Sequence, residues 1–178
     1  MTLRLDLLRH GETELGGGLR GSLDDALTER GWQQMHDAVL PVAARHDVFI
    51  ATAAVADWRP ATLSEQKIKK NGSKTAPTFE LTENIDILAA VSALPDRPFC
   101  VGFAAESHDL LHHAQEKLVR KNVPLIVGNL GPATFGQDDN ALLLVDAAGH
   151  RSLQRADKLV LARQLVADIA GRLATSRA

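Results

Sequence analysis

The sequence predicts a three-layer α/β/α sandwich built on a mainly parallel sheet and closed by a C-terminal β-hairpin. Three observations carry this. Short, uncharged apolar runs recur at residues 49–55, 99–103 and 125–129, the pattern of parallel strands buried on both faces. Stretches with helical apolar spacing separate them, so the strands are joined by helical, right-handed crossovers. Near the C-terminus, residues 141–145 and 151–154 flank Ala147-Ala148-Gly149 and read as a hairpin. A chain of 178 residues has the length of one domain and can bury a sizeable core.

Taken in order, Leu3-Arg4-Leu5-Asp6-Leu7-Leu8 alternates and then turns apolar, a first strand. Thr28 is an N-cap candidate, and Trp32, Met35, Val39 and Val42 follow at helical spacing, with Pro41 as a kink. The central strand spans residues 48–55 and is stopped by Pro60. Asp57 and Arg59 then fall just beyond its carboxyl end, where ligands sit in open α/β sheets. Residues 61–82 form a long polar loop with a turn at Asn71-Gly72, and Lys67, Lys69 and Lys70 in it could fold back over a phosphate. Asn84 caps a helix carrying Ile87, Leu88, Val91 and Leu94 on its core side, and Pro95-Asp96-Arg97-Pro98 breaks it. A strand at residues 99–104 leads to a helix that starts at Ser107 and buries Leu110, Leu111, Ala114 and Leu118. Lys117 and Lys121 share one face of that helix. A strand at residues 124–129 and the hairpin follow. A last helix, residues 157–174, has Leu161, Leu165, Ile169 and Leu173 as its apolar stripe. The arrangement is Rossmann-like, without internal repeats.

Composition excludes several classes. A net charge of −2 lacks the basic excess of a nucleic-acid surface. No run is long and apolar enough for a membrane span, and charges interrupt the first residues where a signal peptide would be apolar, so a cytoplasmic protein is expected. The one cysteine, Cys100, excludes an internal disulfide and reads as a buried strand residue, not a nucleophile. His108 and His112 have the i, i+4 spacing of metal ligands, with His113 beside them. No third ligand stands at a convincing spacing, so no metal site is expected. His36, His46 and His150 are expected on the surface.

Ala53-Ala54-Val55-Ala56-Asp57-Trp58-Arg59-Pro60 followed by Lys67-Ile68-Lys69-Lys70 resembles the signature of phosphopantothenoylcysteine synthetase, the phosphopantothenate–cysteine ligase domain of the bacterial bifunctional coenzyme A biosynthesis flavoprotein. Asn84-Ile85-Asp86-Ile87-Leu88, Val101-Gly102-Phe103-Ala104-Ala105-Glu106 and residues 117–122 extend the resemblance over about residues 35–173. It implies CTP, with Mg2+, activating the carboxylate of 4'-phosphopantothenate as an acyl-cytidylate, which the amine of cysteine then attacks. It places CTP against Asp57, Lys67, Ile85, Asp86, Ile87, Leu88, Phe103, Lys117 and Lys121, with Lys67 as the ligase-like catalytic residue. It implies no flavin in this segment, and a homodimer.

The residue types suit that task. Lysines meet polyphosphate as mobile point charges, Asp57 can accept from ribose or amine donors, and Phe103 at a strand end offers an apolar wall. Singly, each has a plainer reading: Phe103 as core, Lys117 and Lys121 as a solvated helix face, Asp57 as a turn residue. Ile85 stands where the family has proline, and Asn129-Leu130 where it has Asn-Asp. The family's glycine-rich opening turn and the asparagine that stabilises the acyl-cytidylate lie in the part replaced by residues 1–34. Residual CTP binding with little or no ligation is therefore expected.

Arg9-His10-Gly11-Glu12-Thr13, with Arg20-Gly21-Ser22, Leu27-Thr28-Glu29-Arg30-Gly31 and Gln34, resembles the histidine phosphatases of the phosphoglycerate mutase type, nearest the α-ribazole phosphatases of cobalamin synthesis. There His10 would take up the phosphoryl group and Arg9 would bind its oxygens. The second arginine and second histidine of such a pocket have only faint echoes, in residues 152–156 and at Ser107-His108, in the wrong chain order, so phosphatase chemistry is not expected. The expectation is one chimeric α/β domain, residues 1–34 from the phosphatase type and 35–178 from the ligase, joined inside a helix. Without a linker, an engineered recombination explains it better than a natural fusion. The rivals are a scaffold with no ligand and a phosphomonoesterase acting through His10.

Overall fold

A computed structural model describes residues 4–14, 27–53, 57–62, 78–131, 134 and 136–176. In chain order the elements are α1 (Glu29–Ala43), β1 (Val48–Ala51), β2 (Trp58–Pro60), β3 (Leu81–Glu83), α2 (Ile87–Ser92), β4 (Phe99–Glu106), α3 (Leu110–Lys121), β5 (Leu125–Leu130), β6 (Asp139–Asp146), β7 (Gly149–Asp157) and α4 (Lys158–Ser176). The described residues divide into two compact units, one within residues 1–37 and 55–86, the other within 38–54 and 87–178.

The second unit is the α/β sandwich. Its five strands run in the order β1-β4-β5-β6-β7, with β1, β4 and β5 parallel and the last two joined antiparallel. Alternation along β4 separates two cores. Cys100 and Ala104 face Val39, Ala43, Val91 and Ala114, contributed by the end of α1, by α2 and by α3. Val101 faces Leu125, Leu144, Leu161 and Leu165 on the side of α4. The stripe expected on the last helix is the one that packs, with Leu161 2% exposed; burying such a leucine contributes about 1.5–3 kcal/mol.

Helix ends explain how α2 and α3 stop. Asn122 adopts the left-handed conformation at φ 49°, and its N–H donates to Leu118 O and Val119 O. The Arg97 guanidinium donates to both Ser92 O and Asn122 O, so one side chain satisfies carbonyls at the ends of both helices. Cys100 is fully buried, and burial pushes its thiol up to about 11. The native protein is therefore expected to leave Cys100 unreacted with a thiol-specific disulfide reagent at pH 8 until denaturant is added. Prompt stoichiometric reaction without denaturant would contradict this burial.

The first unit centres on the start of α1. Thr28 is its N-cap, as expected: the Gly31 N–H donates to Thr28 Oγ1 at 2.9 Å. Residues 11–13 lie along that turn, with Thr28 N–H donating to Glu12 O at 3.0 Å, Glu12 N–H donating to Gln34 Oε1 at 2.9 Å, and Thr13 bridging Leu27. Glycine is required at Gly31 because a Cβ there would sit 2.1 Å from Glu12 O.

Several expectations need correction. Residues 4–8 are not a strand: they join no sheet among the described residues, and Leu5 and Leu7 are 72% and 87% exposed. The central strand is shorter than 48–55, ending at Ala51, and is the edge of its sheet, not buried on both faces; Ile50 is 40% exposed. Pro60 does not follow a strand but ends one, β2, which pairs antiparallel with β3, a strand that begins within the span read as loop. An edge strand tolerates proline because its missing N–H need not serve a ladder. Asn84 is not a helix cap. It is buried three residues before α2, and its Oδ1 accepts from Arg59 at 3.0 Å. Ser107 does not begin α3, whose N-cap is Asp109.

Candidate functional site

The residues expected at a site divide between the two units. In the first, the β2–β3 ladder joins the end of one predicted segment to the start of the next: Asn84 N–H donates to Asp57 O at 2.8 Å, immediately before Ile85 and Asp86. The Asp57 residue is exposed, Ile85 is 39% exposed and Asp86 is half-buried. Arg59 is the organiser here. Its guanidinium donates to Glu83 O, Asn84 Oδ1 and Glu29 Oε1, at 3.1, 3.0 and 3.3 Å. The sequence reading placed Arg59 beyond a strand but gave it no partner; partners 24 to 30 residues away leave no local signal. Lys67 and its neighbours Lys69 and Lys70 lie outside the described residues.

In the second unit, Ile87 and Leu88 open α2, Phe103 lies on β4, and Lys117 and Lys121 lie one turn apart on α3. The structure brings Lys117 and Phe103 together through the backbone, with Lys117 Nζ donating to Phe103 O at 2.6 Å. Phe103 is not at a strand end, since β4 continues to Glu106. Its ring packs with the core on the α4 side, while Leu88 belongs to the core on the α3 side. The partly buried Phe103 ring thus packs against the core, while its carbonyl faces Lys117. Nor is Lys121 on a solvated face: it is 9% exposed, and its carbonyl accepts from Ser92 Oγ at 2.6 Å, tying α3 to α2. Two shallow clefts on α4, one shared with β7, hold none of the residues expected to bind CTP.

The phosphatase-like pair is exposed. Arg9 Nε approaches His10 Nε2 at 3.1 Å, and His10 Nδ1 lies 2.9 Å from Gly11 O. Arg155, the echo of a second arginine, is held by Asp139 in a two-pronged pair at 2.8 and 2.5 Å. Of the histidines expected on the surface, His150 is exposed, while His36 and His46 are half-buried. His46 Nδ1 lies 2.9 Å from Val42 O at the end of α1. The helical i, i+4 relation between His108 and His112 does not apply, because α3 begins at Leu110. The group that does form is His108, Asp109 and His113, whose ligating atoms lie within 4.8 Å of one another. No helix among the described residues is long and apolar enough to cross a membrane.

Comparison with known proteins agrees with this architecture. The sequence pattern of the family described as the DNA/pantothenate metabolism flavoprotein C-terminal domain matches residues 28–173. The match begins earlier than residue 35, so Thr28, Gly31 and Gln34 fall inside it. The chain is 47% identical over 133 residues to the coenzyme A biosynthesis bifunctional protein CoaBC of Vibrio cholerae, covering 72% of this chain and 33% of that protein. It spans about a third of the length of the curated relatives it matches. The solved C-terminal domain of a CoaBC superposes with a TM-score of 0.61 at 30% identity, covering 80% of this chain and 63% of that one. A Cab2 variant in complex with phosphopantothenate-cysteine shares the fold, with a TM-score of 0.62 at 20% identity over 85% of this chain and 55% of that one. The chain therefore belongs to the family of the DNA/pantothenate metabolism flavoprotein C-terminal domain.

Proposed function

We propose that this chain is a CTP-binding piece of a phosphopantothenate–cysteine ligase domain of coenzyme A biosynthesis, a cytoplasmic protein that has kept nucleotide binding and lost most or all ligation. The observation that carries the reading is the placement of Lys117 and Lys121 one turn apart on α3, with Lys117 Nζ against the carbonyl of Phe103. A lysine held at a parallel strand by a backbone carbonyl is a pre-positioned cation beside groups able to read a base. The names of the relatives, which concern coenzyme A biosynthesis and phosphopantothenate-cysteine, support the same chemistry.

On this reading CTP is a substrate taken with Mg2+. Asp57, Lys67 and residues 85–88 complete its contacts, Lys67 being the ligase-like catalytic group. 4'-Phosphopantothenate is the second substrate, no flavin belongs to the segment, and the chain pairs as a homodimer. For residues before Thr28, Arg9-His10-Gly11-Glu12-Thr13 supports a histidine-phosphatase-type start, a chimeric origin that the family match neither includes nor requires.

Calorimetric titration with CTP and magnesium tests this, with ATP as the competing nucleotide. Saturable binding of CTP over ATP is expected, weakened at least tenfold by Lys117→Ala or Lys67→Ala, since one charge-assisted contact contributes about 1.5–3 kcal/mol. Pyrophosphate release with 4'-phosphopantothenate and cysteine present should stay at background. A folded sample that takes up no CTP, or binds ATP equally, would refute the reading and leave the chain a scaffold.

A further inference from the structure

We infer that His108, Asp109 and His113 form a binding site for a divalent first-row transition metal, zinc being the fitting ion, at the junction between β4 and α3. The three ligating atoms lie within 4.8 Å of one another. Ligands bonded tetrahedrally to one zinc ion at about 2.0–2.1 Å stand roughly 3.4 Å apart. Closure therefore asks each donor to move inward by about an ångström or less, which side-chain rotation supplies at low cost where residues are as open as His108 and Asp109.

The chain is arranged to keep these donors together. Asp109 occupies the N-cap position of α3, yet its carboxylate makes no capping hydrogen bond to the helix. Its backbone is left-handed at φ 46°, ψ 39°, a conformation aspartate tolerates better than most residues. Its carbonyl accepts from the His113 N–H at 3.1 Å, so the first turn of α3 fixes the spacing of the two residues. The rings of His108 and His113 meet edge to face with centroids 5.5 Å apart.

The His108 ring also has an outer neighbour of the kind that metal-bound histidines use to set their tautomer, Ser107 Oγ lying 2.8 Å from His108 Nδ1. Two imidazoles and one carboxylate make a borderline donor set that suits zinc and leaves the remaining positions to water, whereas magnesium and calcium prefer all-oxygen surroundings.

The test is zinc titration of the full, untagged 178-residue chain after chelator treatment, by calorimetry and by competition with a chromophoric chelator, with magnesium as control. One zinc ion per chain is expected at micromolar concentration, with a rise in Tm. Asp109→Asn keeps the backbone's tolerance for the left-handed region and removes the charge. It and His113→Ala should each weaken binding at least tenfold and abolish the Tm rise, while His112→Ala leaves both unchanged. Circular dichroism of each variant checks that the fold is retained. The inference is overturned if zinc does not saturate below millimolar concentration, if the His113 and Asp109 variants bind as the parent does, or if His112→Ala is the substitution that removes binding.

Discussion

Replacing Gly102 with valine is expected to lower the unfolding free energy by about 3 kcal/mol, read from urea midpoints at pH 7. Gly102 is buried on β4, and a Cβ there would lie 2.7 Å from Leu88 Cδ2 and 2.8 Å from Ile126 Cδ1. Valine adds two further methyl groups to a space too small for the first. The absence of a side chain is thus what lets α2 settle against the sheet, with Leu88 7% exposed. The strain lies with a particular neighbour, so it should be relieved by that neighbour. In the double variant Gly102→Ala with Leu88→Ala, the cost should fall short of the summed single costs by about 0.5–3 kcal/mol, as expected for groups in contact. Additive costs in this cycle would show that Leu88 does not fill the space above Gly102.

Elements determined by local chemistry were legible in the sequence. The Thr28 cap rests on one side-chain oxygen and an N–H three residues on, and the packed face of α4 follows from helical periodicity alone. The hairpin was found but drawn too short: β6 and β7 extend to Asp139 and Asp157, where the pairing passes an irregularity at Asn140 and the alternation weakens. What failed was whatever depended on a distant partner. Leu3 to Leu8 alternates as a strand should, but alternation only makes a segment able to pair, and among the described residues no strand pairs with residues 4–8. Conversely, β2 and β3 are three residues each, below any periodic signal, and Arg59 on β2 ties them by donating to Glu83 O on β3 and to Asn84 Oδ1 just beyond it.

The candidate site divides along the same line. Lys117 and Lys121 were placed on one helix by spacing, and they are there. Their environment was not readable, because whether a lysine faces water or a carbonyl is decided by the strand beneath it. A helix read from Ser107 hides Asp109 as a donor beside His108 and His113. Starting α3 at Leu110 takes His108 off the helix and brings His113, not His112, toward it. A shift of three residues in one boundary decides which side chains the helical spacing governs.

Arg172→Ala is expected to cost about 2 kcal/mol at pH 7, the scale of hydrogen bonds to charged groups, and the cost should vanish in acid. Arg172 lies on α4 and donates to Asp168 Oδ2 and to Asp146 Oδ2, both at 2.6 Å, with all three side chains no more than 26% exposed. It is the clasp between α4 and the β6–β7 turn. Asp146 Oδ1 in turn accepts from the N–H groups of Ala148 and Gly149, at 2.8 and 3.1 Å, which closes that turn. Burial pushes the Asp146 carboxyl up, but the Arg172 hydrogen bond, the two backbone donors and the Arg172 charge outweigh it and hold the group below its ordinary value. A carboxyl depressed in the native state contributes stability above its unfolded pKa of about 3.9, and that contribution is lost as pH falls through the lower native value. Removing Arg172 leaves burial opposed only by the backbone donors, so the variant should lose less stability than the parent between pH 5 and 2. Unfolding free energies from urea curves over that range should therefore converge from a separation of about 2 kcal/mol to little or none. Curves that stay parallel down to pH 2 would mean that Arg172 stabilises α4 through its packed stem and not through its charge.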